Sequence, residues 1–234
     1  KKWVPIAYEA FVDYNAIMEL VEQLVSGAAF KVNGSFEIDY GEEIGVIDLK
    51  PPWKRLDLQK AIKDFSGIDF ISIKDEAELS NQMRNLGIHV EPNSSWATMI
   101  DKIISDKVEP NLKQPTFLID YPVEMSPLAK RKDRNSDVAE RFEAFVMGSE
   151  LANAFTELND PIDQRNRFEE QESLRKKFND DELDRLEEDF LIAVEHGMPP
   201  TGGLGLGIDR LVMLITKKIT IRDVVLFPQL KTLE

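Results

Sequence analysis

At 234 residues, 42% hydrophobic and 31% charged, the chain can build a proper core as one large domain or two small ones. It has no cysteine and only two histidines, His89 and His196, which excludes disulfides, thiolate metal sites and multi-histidine centres. A formal net charge of −14 argues against a free-standing nucleic-acid binder, which needs a basic face, but leaves room for a cationic ligand.

A first helix is expected from Asn15 to Val25, where Ile17, Met18, Val21, Leu24 and Val25 share a face and Gly27 offers a stop. Ser35 to Lys50 reads as two strands around Gly41-Glu42-Glu43, closed by Pro51-Pro52. Asp57 should cap a helix that turns Leu58, Ala61, Ile62 and Phe65 inward and stops at Gly67. Asp75 begins another, ending near Gly87. Ser94 or Ser95 starts a third, with the stripe Trp96, Met99, Ile100, Ile103 and Ile104. "TFLIDYP" is a short buried strand ending at Pro122, and strand-like runs between Ala144 and Phe155 flank a tight turn at Gly148-Ser149. Asp163 to Phe178 reads as a helix with a solvated, charged face. Asp180 or Asp181 should cap a last helix carrying Leu183, Leu186, Phe190, Leu191 and Val194, ended by Gly197. No apolar run approaches the roughly 20 residues of a membrane span, and Lys1 to Pro5 does not read as a signal peptide. A soluble, cytoplasmic chain without membrane contact is the expectation.

The run "TGGLGLGIDRLVMLIT", Thr201 to Thr216, is the most unusual stretch. It is no P-loop, because no Gly-Lys-Ser/Thr follows, and no dinucleotide fingerprint, because the spacing is G-x-G-x-G after Met198-Pro199-Pro200. Its glycines either let a ligand approach the main chain or mark a tightly packed strand. Strands and helices mix without βαβ alternation, so the expected fold class is α+β around an antiparallel sheet. Residues 1–234 read as a single domain, with a hairpin and helical segment at about 30–110 and the site strands at about 115–228.

Three stretches then coincide: "RFEAFVMGSELANAFTELNDPIDQRNRFEEQ", "EEDFLIAVEHGMPPTGGLGLGIDRLVMLIT" and "IRDVVLFPQLK". Together with "AYEAFVDYNAIMELVEQLV" and "PTFLIDYPVEMSPLAK", they resemble the C-terminal half of a class II lysyl-tRNA synthetase catalytic domain, in order and over essentially the whole chain. The resemblance implies an antiparallel sheet flanked by helices, and ATP-dependent activation of lysine followed by transfer to tRNA(Lys). It also implies Mg²⁺ at the ATP phosphates and a homodimeric parent enzyme. Of the three motifs of the class, the third is intact, the first is absent, and the second survives at most as its trailing end. The chain is therefore expected to be a fragment, exchanging pyrophosphate at or near background on its own.

Residue by residue, Arg210 resembles the third-motif arginine that lies against adenine and contacts ATP phosphate, a task that suits a planar, permanent cation. Glu143 and Glu150 match the two acids that hold Mg²⁺ with ATP. Asn153 and Glu157 match lysine-binding positions: Glu157 would face the ε-ammonium and Asn153 the carboxylate end. Gly203 and Gly205 would leave room for the substrate. Tyr8 matches a tyrosine beside the lysine side chain, although the glutamate that the family carries two residues earlier is Ile6 here. Strict alternation puts Glu150 and Asn153 on opposite faces of a strand, so a β-bulge or an irregular turn must lie between them if both serve one pocket. Two other readings stand beside the ligase: a non-catalytic module binding lysine, a nucleotide or a protein, and a paralogue that lysylates something other than tRNA.

Overall fold

The computed structural model describes residues 6–133, 136–178 and 187–225. After β1 (Ile6–Ala10), Asp13 caps α1 (Tyr14–Asn33), its carboxylate accepting from the N–H groups of Asn15 and Ala16 at 3.0 and 3.2 Å. The helix does not stop at Gly27 but at Gly34, which takes the left-handed conformation (φ 71°). A glycine inside a helix costs only about 1 kcal/mol against alanine, and the buried face through Val21, Val25 and Ala29 outweighs it.

The expected hairpin is present as β2 (Glu37–Asp39) and β3 (Val46–Asp48), a small antiparallel sheet of its own. The next strand, β4 (Lys54–Asp57), has no sequence signal beyond its four residues. Its last residue caps α2 (Leu58–Ser66), where Asp57 Oδ1 accepts from Lys60 N–H at 2.8 Å. Phe65, expected inward, is 38% exposed; Leu58, Ala61 and Ile62 carry the buried face. Asp75 caps α3 (Glu76–Asn85) and Ser95 caps α4 (Trp96–Ile103), whose stripe continues through a π-helical turn at Ile104–Val108.

The remaining strands are β5 (Thr116–Ile119), β6 (Arg141–Val146), β7 (Ser149–Thr156) and β8 (Thr201–Leu206). Between the last two lie α5 (Pro161–Phe178) and α6 (Glu188–Glu195), and α7 (Ile208–Ile215) follows β8. The main sheet runs β1-β8-β7-β6-β5-β4, antiparallel except for the β4–β5 pair. The fold is thus α+β, and the segments expected as adjacent central strands are adjacent. The β6–β7 turn falls one residue earlier than expected, on Met147 and Gly148, both with positive φ (56° and 69°). That pair of left-handed residues matches the strand twist.

Alternation divides the sheet. Phe142, Ala144, Ala152, Ala154, Leu204 and Leu206 point to one face, where residues of α1 and α7 cover them. On the opposite face Leu118 and Phe145 sit under α2, α3 and α4, which cover only the β4–β5–β6 half. The other half, over β7, β8 and β1, opens into a cavity.

Gly202 is tightly packed on the covered face. A Cβ there would lie 2.6 Å from Ile17 Cγ1 and 2.9 Å from Ile17 Cδ1 on α1. Gly202→Ala is expected to destabilise the fold by about 1–3 kcal/mol, as overpacking does. A urea midpoint equal to that of the parent protein would show that α1 has slack.

In α5, Asp160 accepts from Ile162 and Asp163 N–H (2.9 and 3.2 Å), with Pro161 at the first helical position. Its outer face is charged as expected, but the inner face buries Gln164, Arg167 and Gln171 as well as Phe168. Arg167 is satisfied there by Asp163 (3.1 and 2.7 Å) and by the carbonyls of Ser126 (3.2 Å) and Ala129 (2.6 Å). The cap expected at Asp180 or Asp181, with Leu183 and Leu186, lies outside the described residues. Among those residues, no helix is long and apolar enough to cross a membrane.

Candidate functional site

The cavity on the open half of the sheet has a volume of about 440 Å³. Tyr8, Glu150, Asn153, Glu157, Gly203, Gly205 and Arg210 all line it. Glu143, the remaining expected residue, does not.

One irregularity brings these groups together. Along β6–β7, Ala144 faces Ala152 but Phe145 faces Glu150, so Leu151 is an extra residue without a partner across the ladder. Of the two irregularities that the spacing of Glu150 and Asn153 allowed, a bulge or an irregular turn, the structure has the bulge. Leu151 turns its side chain into the core, and its carbonyl accepts from Gly207 N–H at 2.8 Å. Glu150 thereby joins Asn153, Phe155 and Glu157 on the cavity face.

Glu157, just beyond β7, is 8% exposed, and its carboxylate has no hydrogen-bond donor among the described residues. Burial pushes its pKa up to about 7. Its Oε1 lies over the main chain of Gly203, where any Cβ would collide with it, and Tyr8 Cε1 is 3.1 Å from that same Cβ position. Tyr8 sits opposite Gly203 in the β1–β8 register, and burial together with the Glu157 charge raises its pKa. The packing reading of the glycine run holds at Gly202, against Ile17 of α1, while the bare backbone at Gly203 accommodates the Glu157 carboxylate.

Arg210 lies in the first turn of α7. It donates through one nitrogen to the Glu150 carbonyl and to Glu150 Oε2, the latter at 3.2 Å. Glu143, directly opposite Asn153 in the β6–β7 register, has Oε1 receiving Arg141 at 2.7 Å and Oε2 receiving the Tyr121 hydroxyl at 2.8 Å. Burial pushes the Glu143 pKa up; Arg141 opposes that, and the nearby Glu150 charge adds to it. Glu109 is raised likewise, by burial first and then by Asp101 and Glu150. Carboxylates thus crowd one end of the site. Among the described residues, no three Asp, Glu or His side chains converge as a ready metal cage. The electrostatic crowding of Glu143 and Glu150 nevertheless fits Mg²⁺, which takes one or two carboxylates and fills the rest of its shell from phosphate and water.

Sequence reasoning missed Arg141 and Tyr121. The first had a signal: in "RFE", alternation puts Arg141 on the same face as Glu143. Tyr121 follows β5 and had none.

A family profile described as tRNA synthetases class II (D, K and N) matches residues 7–231. The lysine–tRNA ligase of Carboxydothermus hydrogenoformans is 49% identical over 224 residues, covering 96% of this chain and 45% of that protein. That of Pelotomaculum thermopropionicum is 48% identical over 230 residues, covering 97% and 45%. That of Thermoanaerobacter sp. (strain X514) is 51% identical over 225 residues, covering 96% and 44%. The chain thus spans rather less than half the length of the curated relatives it matches. Its open-faced sheet and bulged hairpin are built from sequence that matches the profile almost end to end, and the chain belongs to the class II tRNA synthetases of the D, K and N group.

Proposed function

We propose that this chain is the C-terminal part of the catalytic domain of a lysine–tRNA ligase, and that the cavity over β7 and β8 takes lysine and ATP. The carrying observation is Glu157, a buried carboxylate without a donor of its own beside a cavity. Such a group is costly unless a cation completes it, and the ε-ammonium of lysine is that cation. Asn153 would meet the amino-acid carboxylate and Arg210 the nucleotide, with Tyr8 against the lysine side chain. The lysine carboxylate attacks the α-phosphorus of ATP and pyrophosphate leaves, so no protein nucleophile is needed; positioning and charge stabilisation suffice. Glu143 and Glu150 would hold Mg²⁺, whose chemistry is to neutralise phosphate charge. In the longer protein the partners would be lysine, ATP and tRNA(Lys), acting as a homodimer in the cytoplasm.

Lysine-dependent ATP–pyrophosphate exchange by the full-length protein tests this reading. Exchange should respond to lysine and not to leucine or glutamate, and Arg210→Ala should lower it by about 10²–10³, the usual loss for one preorganised donor. Exchange that ignores lysine would instead favour the non-catalytic module.

A further inference from the structure

Arg141 belongs to none of the roles above. Its guanidinium lies over the Tyr121 ring, 4.6 Å from the centroid, and its Nε donates to Asn153 Oδ1 at 3.2 Å. Its other nitrogens donate to Glu143 Oε1 (2.7 Å), the Met125 carbonyl (2.6 Å) and Ser126 Oγ (3.2 Å). The side chain is only 16% exposed and does not line the cavity. Four acceptors and a stacking surface fix its plane.

That fixed plane has a consequence for Asn153. A guanidinium can only donate, so the amide atom turned toward it is oxygen; the flipped amide would set N–H against N–H. With Oδ1 taken, the side-chain NH₂ remains, and it has no acceptor among the described residues. Asn153 lines the cavity. We propose that Arg141 is a positioning residue: by taking the Asn153 carbonyl it makes Asn153 a hydrogen-bond donor toward the cavity, suited to an amino-acid carboxylate. The inference rests on the lysine-binding reading and deepens it. Arg141 never touches the ligand, and it ties the residue that receives the amino acid to Glu143 on the neighbouring strand.

The test is calorimetric titration of the full-length protein with lysine and, separately, with cadaverine, which is lysine without its carboxylate. Arg141→Gln should weaken lysine binding by about 10- to 100-fold, the range for a hydrogen bond to a charged group, and leave cadaverine unchanged. Asn153→Ala should behave the same way, and the double variant should be no weaker than the weaker single one, since both act on one contact. Asn153→Asp covers the case in which Arg141→Gln fails to fold, because it keeps the partner of Arg141 but removes the donor. It should lose lysine and keep cadaverine. Equal losses of both ligands in Arg141→Gln, or Asn153→Asp binding lysine as the parent does, would overturn the proposal. A parent protein that binds no lysine would refute the functional reading first, before any variant is compared, and this inference with it.

Discussion

Glu157→Gln in the full-length protein is expected to weaken lysine binding by about 30- to several-thousand-fold, the cost of removing one partner of a desolvated charge pair. The ATP requirement should not change, because Glu157 and Arg210 reach the cavity from different elements. A pH signature should accompany the loss. In the ligand-free fold Glu157 keeps its proton up to about pH 7, while its ordinary value is 4.5. The stability that this group contributes is therefore complete below pH 4.5 and is lost as pH rises through 7, because the folded state binds the extra proton. Lysine keeps its ammonium until near pH 10.4, so its binding should strengthen from pH 6 to 8 and expel a proton near neutrality. Titrations in buffers of different ionisation enthalpy read that proton directly. A parent protein whose lysine affinity is flat from pH 6 to 8 would remove Glu157 from the recognition step.

Gly203→Ala should also weaken lysine recognition strongly, although it adds one methyl and removes no ligand contact. The new Cβ would occupy the place of Glu157 Oε1. The carboxylate must then swing off the strand, and a displacement of about 1 Å at a positioned group can cost on the order of 10²-fold. The lysine requirement should rise by about that factor, with ATP use unchanged and stability little affected, because the colliding atom ends a flexible side chain. Gly202→Ala is the contrast, with lower stability and intact lysine recognition from the adjacent residue. If Gly203→Ala binds lysine as the parent does, the carboxylate is not held by that strand.

Much of this arrangement was legible beforehand, for reasons that differ by element. The caps at Asp57, Asp75 and Ser95 were readable because a side-chain acceptor before an apolar stripe is a local signal. The order β8-β7-β6 was readable only through the family resemblance, since periodicity cannot say which strands pair. The strands β1 and β4 escaped because they are short and mostly exposed, so alternation leaves no trace in them. The course of α1 past Gly27 was decided by burial against the sheet, a tertiary term that no local signal contains. Of the site, the family resemblance gave the acids, and spacing alone singled out only the glycine run. Neither could show that Glu143 would be taken up by Arg141 and Tyr121, or that Phe155 would help line the cavity.

The extra residue at Leu151 divides β7 into two lengths of chain, each with its own anchor. The turn at Met147 and Gly148 fixes Ser149 and Glu150, while pairing with β8 fixes the stretch from Ala152 to Thr156. The offset between the proposed nucleotide end of the cavity and the proposed amino-acid end is therefore set by a residue whose side chain has no polar atom and is buried in the core. Mutational surveys that look for lost charges or lost ligand contacts would pass over it. Yet a change in the bend at Leu151 would leave every binding group present and alter only their separation. Such a variant would bind each reactant well alone and bring the two together badly.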